Sequence, residues 1–525
     1  MKKKNEILYL ILFLLFPIMI TSFDFLNNTS SLMMQTDEAL LKPQIIISQK
    51  SSGNGWLPGG TPINVEDSSW EFPRICSDGT GGAIISWSDR RSGSEDDIYA
   101  QRIDSSGNVI WTNNGVLICS ANDDQFFSQI CSDGAGGAII TWADGRRGID
   151  IYAQRINSTG DILWTPNGTA ICTATGSWKP QICSDGAGGA IIAWQDSRPG
   201  SLRDIYAQRI DSSGNFQWTP NGTVICSADN YQWAHQICSD GAGGAIITWY
   251  DDRYAMYYYD IFAQLINSSG DVQWTPNGIA ICTATGRSED PQLCSNGAGG
   301  AIITWSDIGG IYAQLINSNG NTQWTENGTS ITKEPQYQIE PQLCSDGAGG
   351  AIITWIDRPG TYSDIYAQHI NSSGNLQWVP NGTVICSADN YQWNTQICSN
   401  GAGGAIITWD DKRVGGSADI YAQSINSSGN VQLITNGKVI CSASHDQFNS
   451  QLCYDGAGGA IITWADHRSG DEYHIYAQHI NYEPTEPEDG EIPFEIIIAI
   501  ASIVGIAVVI GVATTLILKK RRKIE

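Results

Sequence analysis

An aspartate stands two residues after the tryptophan of an IITW-type segment in eight places: Asp89, Asp144, Asp196, Asp251, Asp307, Asp357, Asp411 and Asp466. Arginine follows two positions later in six of them, as Arg91, Arg146, Arg198, Arg253, Arg413 and Arg468, and another aspartate precedes the IYAQ-type segment in six, as Asp97, Asp150, Asp204, Asp260, Asp364 and Asp419. The unit around Asp307 lacks both partners and carries Gly309 and Gly310 there. Joint loss predicts an Asp–Arg–Asp bridge between neighbouring strands, a task that suits the planar guanidinium fork. A catalytic site needs one asymmetric constellation rather than eight copies. No nucleophile motif, arginine triad or asymmetric carboxylate pair stands out, so no catalytic residue is assigned. A repeated ligand or calcium site at these aspartates stays open; no other cofactor is expected.

Fourteen cysteines form a second recurring set. Eight open the units (Cys76, Cys131, Cys183, Cys238, Cys294, Cys344, Cys398 and Cys453), and six others each stand 11 or 12 residues before one of them. In an exported chain this spacing suggests the bridges Cys119–Cys131, Cys172–Cys183, Cys226–Cys238, Cys282–Cys294, Cys386–Cys398 and Cys441–Cys453. Against that, Asn64 and Thr332 fill the partner position before Cys76 and Cys344, and those two cysteines are kept. A cysteine kept without a partner behaves as a small buried residue. Both readings stay open. The histidines form no ligand-spaced cluster, so no metal site is assigned.

The unit that carries these residues reads QICSDGAGGAIITW, a variable stretch, DIYAQRI, SSGN and WTPNGTVICSA; it recurs eight times with a period of 50 to 56 residues. Such periods mark solenoids or propellers. Its segments are short, rich in Ile, Val, Tyr, Trp and Thr, and bounded by Gly, Asn, Ser and Asp, so four antiparallel strands make one blade. SDGAGG and NSSGN supply tight hairpins. Asn296 and Asn400 replace the SDG aspartate, an easy exchange in a turn and an awkward one for a metal ligand. The eighth unit stops after HIYAQHIN, while the chain enters the array on NGWLPGGTPIN, which reads as a fourth strand. The two ends therefore close a ring and remove exposed sheet edges. The expected fold is an all-β eight-bladed β-propeller over residues 44–482; an open β-solenoid would share the period.

Alternate hairpins place the two uniform turns on one face of such a ring and the two variable loops on the other, the candidate binding face. There Trp178, Tyr231, Trp233, Tyr257, Tyr258, Tyr391 and Trp393, beside Asp, Asn and Gln, can stack sugars or grip a peptide. The same rings can plug gaps between blades, and the twofold occurrence of SADNYQW, at 227–233 and 387–393, fits that use.

The segment DSSGNVIW, Asp104 to Trp111, resembles the tryptophan-docking signature of quinoprotein-type eight-bladed propellers, with a turn glycine and a tryptophan four residues on. The spacing recurs at Trp164, Trp218, Trp274, Trp324 and Trp378, and Leu433 replaces Trp in the seventh unit. The resemblance implies a tryptophan packed between neighbouring blades; it brings no quinone or metal site. The DGAGG units also resemble extracellular microbial propellers of unknown role.

Outside the array the chain reads as targeting. Residues 1–22 join a basic start to the apolar run Ile7–Ile20, as a signal peptide does, although the missing small-residue cleavage pattern leaves an uncleaved anchor open. Residues 23–43 form a spacer and 483–495 a stalk rich in proline and acid. The uncharged run at 496–518 is long enough, at ~1.5 Å per residue, to span the ~30 Å hydrocarbon core. The basic tail 519–525 then stays cytoplasmic and the repeats lie outside the cell. The net charge of −25 disfavours nucleic acid and anionic lipid surfaces as partners. Asn-x-Ser/Thr at Asn157, Asn167, Asn221, Asn267, Asn327, Asn371, Asn381 and Asn426 fits glycosylation and turn chemistry alike. These features predict a membrane-anchored cell-surface adhesion or binding protein for a glycan, a surface-layer component or another protein. A propeller enzyme (glycosidase or lyase) and a passive coat are the rivals.

Overall fold

The structure is a computed structural model that describes residues 55–66, 72–93, 95–174, 176–198, 202–254, 258–284, 286–332, 337–470 and 472–481. The segments expected at 1–22, 23–43, 483–495, 496–518 and 519–525, and Tyr257, lie outside the described residues. No helix among the described residues is long and apolar enough to cross a membrane.

Eight four-stranded antiparallel sheets make up the ring. Blade 1 takes Arg74–Ser77, Ala83–Asp89, Asp97–Ile103 and Val116–Cys119 in that spatial order. The first strands of neighbouring blades touch around the whole circle, blade 8 against blade 1 included, so they are the innermost. They stay half-buried along much of their length, as in Gln125–Ser132 of blade 2, whereas second strands such as Ala138–Asp144 are buried throughout. That contrast marks an inner strand facing a central channel and a second strand packed on both faces. The eight IITW-type tryptophans, Trp87 to Trp464, are completely buried. Each interface joins two blades; Ile139 and Ala153 of blade 2 pack with Ala190, Ile192 and Trp194 of blade 3. Burial of one such large side chain contributes about 2–3 kcal/mol.

Blade 8 (Gln447–Tyr454, Ala460–Asp466 and His474–Ile480) receives its fourth strand from Thr61–Asn64, the closure expected from the chain ends. Trp56 joins in. Its Nε1 donates to the Ser105 carbonyl of blade 1 at 3.1 Å, as Trp111 Nε1 donates to Ser158 of blade 2 at 3.1 Å. Trp164, Trp218, Trp274, Trp324 and Trp378 repeat the bond to the next blade. The indole lies against that blade's turn glycine; at Gly270 a Cβ would come 2.5 Å from Trp218.

All fourteen cysteines are free thiols. The pairs Cys119–Cys131, Cys172–Cys183, Cys226–Cys238, Cys282–Cys294, Cys386–Cys398 and Cys441–Cys453 are not bridged, and strand register explains why. Cys131 lies opposite Ile139, while Cys119 of the preceding blade faces the Asp144 carboxylate at the far end of the same second strand. At ~3.3 Å per residue that is roughly 16 Å, against the ~7 Å between Cα atoms that a bridge tolerates. Asn64 shows what the fourth-strand position does instead: its Nδ2 donates to Asp89 at 3.0 Å.

Candidate functional site

On the variable face seven second strands end in the repeated aspartate, and that of blade 6 runs one residue further, to Arg358. In blade 3, Asp196 accepts from Trp194 Nε1 at 3.0 Å, from the Arg198 backbone at 2.9 Å and from both arms of the Arg198 guanidinium at 2.8 and 2.6 Å. Burial opposes ionisation, but these donors win and hold Asp196 below the usual carboxylate range. Arg198 also donates to the Asn221 carbonyl at 3.0 Å, and its guanidinium stacks on Tyr206 of the third strand at 3.7 Å. The same stack recurs on Tyr99, Tyr152, Phe262, Tyr421 and Tyr476.

The expected Asp–Arg–Asp bridge is corrected in blades 1, 2, 4 and 7: Arg91, Arg146, Arg253 and Arg413 pair with the second-strand aspartate and reach the third strand through its ring. The third-strand aspartate sits in register opposite its second-strand counterpart, as Asp251 against Asp260 and Asp411 against Asp419. Burial, then the facing carboxylate, pushes Asp260 and Asp419 each up to about 6. Where the arginine position holds Gly309 or Pro359, the indole bond fails too: Trp305 Nε1 and Trp355 Nε1 have no partner among the described residues. These two units are the adjacent blades 5 and 6.

The uniform face is turn chemistry. Asp133 Oδ1 accepts from Ala135 and Gly137 backbone amides at 2.8 Å each, and Asn296 Oδ1 does the same for Ala298 and Gly300 at 2.8 and 2.9 Å. The glycosylation-type asparagines are used similarly. Asn267 Oδ1 accepts from Ser269 and Asp271, and Asn221 Oδ1 accepts from Thr173 of the preceding blade at 3.0 Å.

The aromatic candidates form two groups on the variable face. Trp178, Trp233 and Trp393 belong to first strands rather than to loops. Tyr231 stacks on Trp233 with centroids 5.2 Å apart, Tyr259 meets Trp233 edge-on at 5.2 Å, and Arg203 spans Trp178 and Tyr231 at 4.8 and 5.6 Å. At blade 7, Tyr391 meets Tyr362 edge-on and Lys412 lies over Trp393. The tryptophans are thus packed, while Tyr231, Tyr258 and Tyr391 remain exposed.

Between these groups lies a feature the sequence reading missed. Seven first strands bulge, and the bulge residue has a left-handed backbone: Phe127, Lys179, Ala234, Asp290, Glu340, Asn394 and Asn449, with φ from 46° to 57°. Such a bulge re-aims one side chain at a cost of about 1 kcal/mol or more for a non-glycine residue. Asp290, Glu340 and Asn394, from blades 5, 6 and 7, line a pocket of about 310 Å³ with Gln292, Gln342 and Thr395. Both side chains are exposed; desolvation by the neighbouring protein still pushes both carboxyls upward, against Arg287 at Asp290 and Arg358 at Glu340, and Asp290 adds to the effect on Glu340. Burial, followed by Asp290 and Glu289, raises Tyr250 to about 12. Asn394 Nδ2 donates to Asp410 at 3.1 Å. Asp410 is fully buried and raised by burial to about 7, and it also accepts from the Asn449 amide at 2.8 Å. The available signal was a position four residues before the first-strand cysteine that varies within an otherwise uniform segment. Among the described residues no group of three or more His, Cys, Asp or Glu is placed to hold a metal ion.

No family model matches the chain, and no curated protein matches it. Solved structures with similarity include a puromycin hydrolase (11% identity, TM-score 0.44, covering 78% of this chain), of which this chain spans 62%. A polysaccharide lyase family 25 ulvan lyase bound to a sulfated disaccharide unit shares 9% identity over 73% of this chain and 97% of its own, with a TM-score of 0.44. The β-propeller domain of the Trilobed protease from Pyrococcus furiosus shares 10% identity over 67% and 96%, with a TM-score of 0.39. These likenesses say nothing of this chain's chemistry.

Proposed function

We propose that the chain is a single-pass cell-surface binding protein whose extracellular propeller offers its variable face to a glycan, a surface-layer component or another protein. The contrast between the two faces carries the reading. One face repeats the same hairpin turns blade after blade. The other carries exposed Tyr231, Tyr258, Tyr337 and Tyr391 and an acidic pocket lined by three blades. Exposed rings beside carboxamides and carboxylates suit polar ligands with flat apolar faces, sugars above all. Export and anchoring through 496–518 belong to the same proposal and rest on sequence pattern. The inter-blade tryptophans are in keeping with quinoprotein-type docking, as fold and not as chemistry.

The test is retention of the full chain on glycan and cell-envelope arrays, with calcium and with chelator. Tyr231→Ser combined with Tyr391→Ser should weaken retention about tenfold or more, and Ala135→Gln with Ala187→Gln on the uniform face should leave it unchanged. A folded chain that binds nothing removes the reading. One observation favours a second one: Asp290 and Glu340 on adjacent blades, both raised, are suited to general acid chemistry. Release of products from a polysaccharide panel, lost in Glu340→Gln, would favour that enzyme.

A further inference from the structure

We infer that the chain docks on itself where it leaves the ring: Tyr482, the first residue beyond blade 8, fills the slot between blades 7 and 8 that a tryptophan fills at the other interfaces. Tyr482 lies outside the described residues, but the slot does not. It is a cavity of about 550 Å³ on the uniform face, walled by Ser424, Asn426 and Gln432 of blade 7 and by Ala457, Gly458 and Asn481 of blade 8. At the seven other interfaces an indole Nε1, from Trp56 round to Trp378, donates to the turn-serine carbonyl of the next blade. Arg102, Arg155 and Arg209 of blades 1 to 3 reach the same carbonyl. Blade 7 has neither group. Ser424 stands at the arginine position, and Leu433 replaces the indole and packs into the core between the two blades.

A second, independent observation names the occupant. In blades 1 to 7 a Cβ on the first glycine of the closing Gly-Gly pair would come 3.1–3.4 Å from the Cβ of the turn serine, as Gly136 from Ser158 and Gly403 from Ser427. At Gly458 of blade 8 nothing among the described residues lies within 4 Å. That serine is the residue after the strand-end Asn or Asp in blades 1 to 7, and in blade 8 the residue after Asn481 is Tyr482. The repeat register therefore sets Tyr482 over Gly458, at the wall of the slot. A phenol suits these walls, with Ala457 and Gly458 against its ring and Ser424, Asn426 and Gln432 near its hydroxyl. Tethering to Asn481 gives it an effective concentration that a free ligand does not match, and Pro484 and Pro487 reduce the freedom lost by the chain that follows. Docking also fixes where the chain departs: with 496–518 as the anchor, the uniform face turns to the membrane and the variable face away from it. That consequence rests on the binding reading proposed above; the docking does not.

The experiment acetylates accessible tyrosines of the full chain with N-acetylimidazole and compares Tyr482, by peptide mass mapping, with Tyr254 and Tyr337, which are 71% and 65% exposed. Tyr482 should react about tenfold or more slowly than either, and the protection should vanish in Leu433→Trp, which restores the indole to the slot. Thermal unfolding supplies the second readout. Tyr482→Ala should lower the Tm of the natural chain but not that of Leu433→Trp, and Tyr482→Phe should retain it. A Tyr482 as reactive as Tyr254, protection that survives in Leu433→Trp, or Tm losses that add in the double variant overturns the inference. Flotation with liposomes is scored separately. A chain that protects Tyr482 without floating loses the anchoring reading and keeps the docking; a floating chain with a reactive Tyr482 does the reverse.

Discussion

Removing the arginine of one Trp–Asp–Arg–Tyr unit strands a carboxylate that has no access to water. Arg198→Ala takes from Asp196, whose side chain is 0% exposed, both arms of its guanidinium while the indole, backbone and Ser177 hydroxyl donors stay. The expected loss is about 3–4 kcal/mol in denaturant unfolding, of the size seen when one partner of a buried pair is deleted. Arg198→Lys should recover only part, since an ammonium can neither fork nor stack as a guanidinium does. The pH dependence follows from two sets of aspartates with opposite sign. Asp196, held low, contributes stability that is lost as pH falls through and below its ordinary value near 3.8. Asp260 and Asp419, at about 6, and Asp410, at about 7, bind protons more tightly folded than unfolded, so folding is favoured as pH drops from above 7 toward 4. The Tm should therefore rise between pH 8 and about 5 and fall again below about 4, and Asp410→Asn should flatten the upper limb.

At the scale of strands and turns, two glycines with the same backbone handedness make a controlled comparison. Gly168 has φ +89°, and a Cβ there would come 2.6 Å from Cη2 of Trp142; Gly134 has φ +72° with nothing within 4 Å. Gly134→Ala should cost about 1 kcal/mol from backbone strain alone, and Gly168→Ala about 2–4 kcal/mol because the indole must also move. Both are read from denaturant midpoints. The strands and turns were legible in the chain because alternation, turn residues and an eightfold repeat all point the same way. The path of the guanidinium was not. Opposed aspartates at Asp144 and Asp150 look like a natural pair for Arg146, but register says only that they face each other, not that the ring of Tyr152 offers the nearer surface. The spacing of Cys119 and Cys131 misled for a related reason: closeness along the chain hides the length of a second strand between them. Asp290 and Glu340 carry no local signal of chemistry, since their meaning comes from a left-handed bulge and from blades that meet only in the ring.

For the whole molecule, closure is the property that makes eight marginal sheets one structure. The short strand Thr61–Asn64 joins the start of the chain to blade 8, and Trp56, Asn64, Val65 and Glu66 bond to blade 1. A chain lacking residues up to 64 should lose its single cooperative unfolding transition and expose an unpaired edge at His474–Ile480. Agreement of calorimetric and van't Hoff enthalpies in the full chain, and their divergence in the truncation, would check this. Closure also creates the functional asymmetry, because a ring has two faces and this one keeps the variable residues on one of them. Hydroxyl-radical footprinting of the full chain on a ligand captured from the arrays addresses that point most directly. Protection is predicted at Tyr231, Tyr258 and Tyr391 and at the bulges around Asp290 and Glu340, with the Gly-rich turns untouched. Protection concentrated on the SDGAGG and NSSGN turns, or spread evenly over both faces, would contradict the account.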